Sequence, residues 1–150
     1  MSVTATAHVN FRGQAREALE FYRSVFGGEL SLATYTDIHA VEDPAQADQI
    51  AFGRLDAPSG FSLMAYDVQP SKDYDSGTNA FYLTVQGTDG DEIGPLWDGL
   101  ADQARAVLIP LAPAPFAPLY GMLTDRYGVT WIVGADTAPT RPGRTATATA

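Results

Sequence analysis

The sequence contains no cysteine and only two histidines, His8 and His39, among its 150 residues. Without cysteine there are no disulfides, thiol nucleophiles or cysteine-ligated zinc sites, so any metal would depend on these histidines and on carboxylates. The sequence has no run of about 18 apolar residues, and its N-terminus lacks the basic start and apolar core of a signal peptide. We therefore expect a cytoplasmic protein with no membrane partner.

Positive charge is scarce, and the formal net charge is −9. A surface of this sign repels phosphate backbones, so the composition predicts no nucleic-acid partner. Arg12, Arg16 and Arg23 do not form a basic cluster, because Glu17 and Glu20 interleave with them on a predicted helix.

The first half of the chain reads as strand, helix and three strands. Apolar and polar residues alternate over residues 3–11, and apolar residues recur at helical spacing over residues 14–26, before Gly27 and Gly28. The following strands are predicted at residues 29–36, 49–56 and 60–67.

The second half repeats this order without repeating the letters. A strand is predicted at residues 79–86, with Asp89 and Glu92 as a capping pair for a second helix. Pro95 fits only the first turn of a helix, so the regular helix is expected from about residue 94 to 104. The remaining strands are predicted at about residues 106–111, 117–124 and 129–134.

These patterns predict an α+β fold of two βαβββ modules, about residues 3–67 and 79–135, in one domain over residues 1–135. One helix covers one face of each curved mixed sheet, so the opposite faces are expected to enclose a shared cavity. The Thr-, Ala- and Pro-rich residues 136–150 are expected to be a disordered tail. Apolar faces left by four-stranded half-barrels favour a homodimer.

Strand alternation assigns side chains to this cavity. His8 and Asn10 face it from the first strand, and Tyr82 and Thr84 face it from the matching strand of the second half. The other side chains predicted to face it are those of Phe52, Arg54, Met64, Tyr66, Tyr120, Met122 and Trp131.

Two further segments have mainly structural interpretations. In the turn at residues 125–128, Asp125 is expected to cap through its side chain, Gly128 to supply a positive φ, and Tyr127 to be a surface or interface ring. The proline-rich residues 112–118 form either a rigid connector at a sheet edge or a wall beside the ligand. His39, in an acidic loop, is expected to be solvated.

Three segments carry a family resemblance: AHVNFRGQAREALEFYRSVFGGEL (7–30), GFSLMAYD (60–67) and YGMLTDRYGVTWIV (120–133). They resemble the PhnB-like, demethylubiquinone methyltransferase-like branch of the vicinal oxygen chelate superfamily, which includes glyoxalase and bleomycin-resistance folds. The resemblance spans about residues 3–135 and implies two βαβββ modules, a homodimer and, in active relatives, a divalent metal held by His and Glu. The methyltransferase label gains no support from the sequence, which has no Gly-rich nucleotide loop.

The ligands that the resemblance implies are mostly missing. The strand at residues 129–133, where metal-using relatives carry Glu, has no carboxylate. The position of the second-module His falls near Asn79 or Ala80, and that of the ligand in the last strand of the first module falls near Met64 or Ala65.

Phe52 stands where a His is often found in this branch, and only His8 remains, with Thr6 as the alternative in register. We therefore predict no metal and no other cofactor.

Three functions follow as hypotheses. In the first, the chain binds a small organic ligand without a metal, because aromatic and Met side chains with His8, Asn10 and Arg54 suit a flat, partly apolar and sometimes anionic molecule. In the second, it is a lyase or isomerase with His8 as general base, and Arg54 or Tyr82 stabilises developing negative charge. In the third, it is a metal-dependent glyoxalase or dioxygenase with other ligands.

Overall fold

The computed structural model describes residues 2–140, which form eight strands and two α-helices. The chain divides into two compact units between Gly77 and Thr78. The first module consists of β1 (Ala7–Phe11), α1 (Ala15–Phe26), β2 (Glu29–Thr34), β3 (Ile50–Asp56) and β4 (Ser62–Asp67). The second consists of β5 (Leu83–Gly87), α2 (Gly90–Ala101), β6 (Ala106–Ala114), β7 (Ala117–Thr124) and β8 (Thr130–Ala135).

The two modules share one topology. The first sheet has the order β1-β4-β3-β2 and the second has the order β5-β8-β7-β6. In each sheet the first strand pairs in parallel with the last one, and the other pairs are antiparallel. The predicted α+β fold of two βαβββ modules is thereby confirmed.

Both parallel edge strands begin later than predicted, because their partners are short. β1 was expected from residue 3, but its pairing begins at Ala7 opposite Leu63. β5 was expected from residue 79, but its pairing begins with Leu83 opposite Trp131. Residues before these points have no ladder partner, and Asn79 has a positive φ of 57° that a strand does not accommodate.

Helix α1 agrees closely with its sequence pattern. Its fully buried Ala15, Ala18 and Leu19 lie on the face that packs against the sheet. Its N-terminus is capped from a distance: Oδ1 of Asp67 accepts the backbone N–H groups of Gly13 at 2.6 Å and Ala15 at 3.1 Å.

Helix α2 begins four residues earlier than the predicted start near residue 94. The Asp89 carboxylate accepts the N–H of Asp91 at 2.8 Å and thereby caps the new first turn. Pro95 consequently lies inside the helix, where its missing N–H removes one helical hydrogen bond. The cap outweighs the proline in fixing where this helix begins.

Residues 136–140, the first part of the expected tail, are hydrogen-bonded against the second module. The Thr137 hydroxyl donates to the carbonyl of Thr88 at 2.6 Å, and the Thr140 N–H donates to Asp91 at 3.0 Å. A Cβ at Gly90 would lie 2.6 Å from backbone atoms of this segment, so glycine permits the approach. Residues 141–150 lie outside the described part of the chain.

Neither helix within residues 2–140 has the length and apolar character that crossing a membrane requires.

Candidate ligand-binding face

The helix-covered side of each sheet is identified by a glycine in its central antiparallel strand. A Cβ at Gly53 of β3 would lie 2.4 Å from Cδ1 of Leu19 on α1. A Cβ at Gly121 of β7 would lie 2.8 Å from the Trp97 ring on α2. Residues of opposite parity therefore lie on the other side, which we call the helix-free face of each module.

The helix-free face of the first module carries six of the residues predicted for the site. His8 is paired with Met64, and Met64 is paired with Arg54, so the three form one row across β1, β4 and β3. Asn10 is paired with Tyr66 in the next row. Phe52 has the same parity as Arg54, and 43% of its surface is exposed.

In the second module, Thr84, Ile132 and Met122 form the corresponding row on the helix-free face. Tyr120 lies beside it, and its ring meets that of Phe116 edge-on at 4.8 Å. Tyr82 precedes β5, and its hydroxyl donates to Oδ1 of Asn79 at 2.9 Å, so it lies outside the ladder in which the sequence placed it.

Trp131 requires a correction, because it lies on the helix-covered face and not on the ligand side. It pairs with Leu83 and Leu123 and is fully buried. Its indole N–H donates to Oδ2 of Asp125 at 2.8 Å. The alternation of apolar and polar residues could not reveal which face carries Trp131. Ile132 is as apolar as Trp131 and Val133, so either face of β8 could pack in a core.

The turn at residues 125–128, which leads into β8, has the structural role that the sequence predicted. Oδ1 of Asp125 accepts the N–H groups of Tyr127 at 2.8 Å and Val129 at 3.1 Å. Gly128 has a φ of 90°. The predictions for Asp125 and Gly128 are confirmed, and both carboxylate oxygens of the buried Asp125 accept hydrogen bonds within the hairpin.

The proline-rich segment is a sheet edge. β6 extends to Ala114, beyond the predicted residue 111, and forms the outer strand of its sheet. Its register against β7 shifts three times between Val107 and Ala114. Pro110 and Pro113 have no N–H to contribute to a ladder, which accounts for this irregularity.

His8 is held in a defined orientation. Its Nδ1 lies 2.8 Å from Oδ1 of Asn10, and its ring meets that of Tyr66 at 5.2 Å with an interplanar angle of 74°. An amide oxygen only accepts hydrogen bonds, so Nδ1 carries the proton in the neutral ring. Nε2 is then a lone-pair acceptor, and it makes no hydrogen bond within residues 2–140.

Arg54 does not converge with His8. Its Nε donates to both carboxylate oxygens of Asp56, at 2.9 and 3.0 Å, and Ser62 donates to Asp56 at 2.7 Å. These hydrogen bonds, first that of Arg54 and then that of Ser62, lower the pKa of Asp56. Met64 separates the strands of His8 and Arg54, so their Cα atoms are about 10 Å apart at ordinary strand spacing.

No group of three His, Asp or Glu side chains suited to hold a metal ion is found among residues 2–140. His39 is exposed in the loop after β2 and has a φ of 56°.

A separate cleft in the first module has a cavity volume of about 10 Å³ and is lined by Tyr35, Glu42, Gln46 and Gln69 among others. Ligand pockets usually measure about 300–1,000 Å³, so this cleft is too small for the expected ligand.

The sequence missed two features of the first module because both depend on distant contacts. The buried Asp67 caps α1 and also accepts the N–H of Ile50 at 2.9 Å, although it looks like an ordinary residue at a strand end. The loop after β4 lies beside the helix-free face, and Lys72 places its ammonium 6.0 Å from the centre of the Tyr66 ring.

Residues 3–134 match the profile of the 3-demethylubiquinone-9 3-methyltransferase family. No curated protein matches the chain. A protein from Pseudomonas aeruginosa of known crystal structure has 32% sequence identity to this chain. The match has a TM-score of 0.78 and covers 91% of this chain and 99% of that chain.

A PhnB protein from Bacillus cereus is 27% identical, with a TM-score of 0.71, over 89% of this chain and 99% of that one. A glyoxylase/bleomycin resistance protein/dioxygenase domain from Frankia sp. EAN1pec is 14% identical, with a TM-score of 0.63, over 95% of each chain, and shows the same fold. With the two βαβββ modules and the profile match over nearly the whole described chain, the protein belongs to the 3-demethylubiquinone-9 3-methyltransferase family, the PhnB-like branch of the vicinal oxygen chelate superfamily.

Proposed function

We propose that this protein binds a small, flat organic molecule on the helix-free face of its first module. The observation that carries the proposal is the hydrogen bond between His8 and Asn10, which fixes the ring and leaves Nε2 as an acceptor. A ligand hydroxyl donates to this nitrogen. Phe52, Met64 and Tyr66 on the same face supply apolar and aromatic contact for the ligand ring.

The test uses two neutral probes, 4-hydroxybenzamide and 4-methoxybenzamide, titrated into ¹⁵N-labelled protein and followed by NMR. Both probes carry the same amide, and only the first has a phenol hydroxyl that can donate to Nε2, so it is expected to bind about fivefold more tightly, because a net hydrogen bond contributes about 1 kcal/mol. Shifted amide signals are expected at β1, β4 and β3.

His8→Ala is expected to abolish the preference for the hydroxyl probe, and His39→Ala, which removes the other histidine from an exposed loop, is expected to preserve it. An unchanged preference in His8→Ala, or no binding of either probe at millimolar concentration, would contradict the proposal.

A second candidate is a metal-independent lyase or isomerase with His8 as general base. The free Nε2 lone pair favours it, because a base must have an accessible acceptor nitrogen. The direct test is exchange of the benzylic protons of phenylpyruvate in D₂O, followed by proton NMR. Catalysed exchange that disappears in His8→Gln is expected for a base, whereas exchange at the buffer rate in the wild type excludes this candidate for that substrate.

We also propose that the protein is a homodimer in the cytoplasm. Large apolar side chains are exposed on and near the second sheet, including Phe116 at 71% and Ile109 at 41%. A chain without cysteine has no need of an oxidising compartment. Sedimentation equilibrium at micromolar concentration tests the assembly, and a single species of 16.0 kDa would contradict it.

A further inference from the structure

The chain contains one lysine, Lys72, and it lies in the loop after β4. Its Nζ is 6.0 Å from the centre of the Tyr66 ring, and the ring of His8 packs edge-on against the same tyrosine at 5.2 Å. The ammonium and the imidazole are therefore neighbours of one aromatic ring on the helix-free face.

The loop that carries Lys72 is anchored to β1 and to the segment after it. The Arg12 guanidinium donates to the carbonyl of Gln69 at 3.0 Å and to that of Lys72, and it lies 5.5 Å over the Tyr74 ring. The Tyr74 hydroxyl donates to the carbonyl of Asn10 at 3.2 Å. These contacts fix the backbone from which the lysine side chain reaches Tyr66.

Two acidic groups near this loop are engaged by other partners, and the adjacent Asp73 makes no ion pair with Lys72 within residues 2–140. Glu42 accepts the N–H and the hydroxyl of Ser71, one on each carboxylate oxygen, at 3.1 and 2.9 Å. Asp75 accepts the N–H of Gly77 at 2.8 Å. Within residues 2–140 the ammonium of Lys72 makes no ion pair, so its contact with the Tyr66 ring leaves its charge available to a ligand.

We propose that Lys72 binds a carboxylate of the ligand, so that the molecule recognised by this face is an aromatic or similarly flat organic acid. The inference rests on the proposed function, because Lys72 supplies only the charge, while His8 accepts the ligand hydroxyl and Tyr66 contacts the ring. A chain of net charge −9 repels organic anions, so binding one requires a local cation of this kind. An ammonium group offers three donors that can follow a carboxylate without fixed fork geometry.

The experiment compares the dissociation constants of 4-hydroxybenzoate and its neutral amide, 4-hydroxybenzamide, by the same NMR titration. The wild type is expected to prefer the carboxylate about fivefold, the scale of an exposed ion pair. Lys72→Gln is expected to bind the two probes equally, and Lys72→Arg is expected to retain a preference for the carboxylate.

Arg23→Gln is the matched control, because it changes the net charge by the same amount at an exposed position in the last turn of α1. It is expected to keep the wild-type preference. If Lys72→Gln still prefers the carboxylate probe, or if Arg23→Gln reduces that preference as much as Lys72→Gln does, Lys72 does not bind the carboxylate. The proposed function would then stand, because binding of the neutral amide does not depend on Lys72. Binding of neither probe would overturn this inference and the proposed function together.

Discussion

The two modules have the same strand order but secure their helices by different means. In the first, Asp67 at the end of β4 reaches the N-terminus of α1 and the start of β3. In the second, α2 is capped locally by Asp89, and the buried carboxylate, Asp125, accepts three hydrogen bonds within its own hairpin. One topology thus tolerates a long-range and a short-range solution to the same need for backbone acceptors.

Their helix-free faces differ as well. The first carries His8, Asn10 and Arg54 in its rows, and the second carries Met122, Ile132 and Ile109 together with the uncharged polar Thr84. These side chains do not pack against the helix of their module, so their chemistry can change without changing the core. Of the two faces, that of the first module carries the histidine on which the proposed function rests.

The largest expected effect comes from removing the buried carboxylates. Asp67→Ala leaves three backbone N–H groups without an acceptor, two of them on the fully buried Ala15 and Ile50, and is expected to lower the free energy of unfolding by about 3–5 kcal/mol. Asp125→Ala is expected to cost about 2–3 kcal/mol, because it leaves the buried indole N–H of Trp131 without this acceptor, whereas the N–H groups of Tyr127 and Val129 are only part-buried.

Urea unfolding followed by circular dichroism measures both variants. Equal losses, or a larger loss for Asp125→Ala, would show that the long-range cap is no more important than the local one.

A medium effect is expected from the equivalent glycines beneath the two helices. Gly121→Ala would drive a methyl group against the Trp97 ring and the Leu111 backbone and is expected to cost about 3 kcal/mol. Gly53→Ala meets the Ala65 carbonyl and the movable tip of Leu19, so about 2 kcal/mol is expected.

Thermal and urea unfolding rank the two glycine variants. Combining Gly53→Ala with Leu19→Ala is the control, and the double variant is expected to lose less stability than the sum of the single variants, because the contact is removed. If the losses of stability are additive, the cost of Gly53→Ala does not come from contact between the new methyl group and Leu19 of α1.

The smallest effect concerns the pair of Arg54 and Asp56. Their hydrogen bonds lower the pKa of Asp56 below its ordinary value of 3.8. A lowered folded-state pKa contributes stability above the unfolded value, and this contribution is lost as the pH falls through the folded-state pKa. Arg54→Gln is expected to move the pKa of Asp56 up towards 3.8 and to weaken this acid dependence below about pH 4.

Carboxyl NMR titration measures the pKa of Asp56 directly. Ser62 still donates to Asp56 in the Arg54→Gln variant, so Ser62→Ala isolates the smaller contribution. An unchanged pKa in Arg54→Gln would mean that the ion pair is not formed in solution.

Much of the first module's site could be predicted from the sequence, because apolar and polar residues alternate clearly in β1. His8 and Asn10 lie opposite Val9 and Phe11, so their face follows from the alternation alone. In β8 both faces are apolar, and the sequence therefore could not show that Trp131 belongs to the core. The start of α2 was misjudged because the proline signal was given more weight than the Asp89 cap.

The sequence by itself determined the repeated strand-helix-strand order, the turn at Asp125 and the face of His8, since these follow from local periodicity and from hydrogen bonds between residues a few positions apart. Only the tertiary structure decided that Asp67 caps a helix more than 50 residues away in sequence and that Lys72 lies over Tyr66. Such contacts depend on which strands become neighbours in the sheet and where the loops between them return, and no local pattern encodes that geometry.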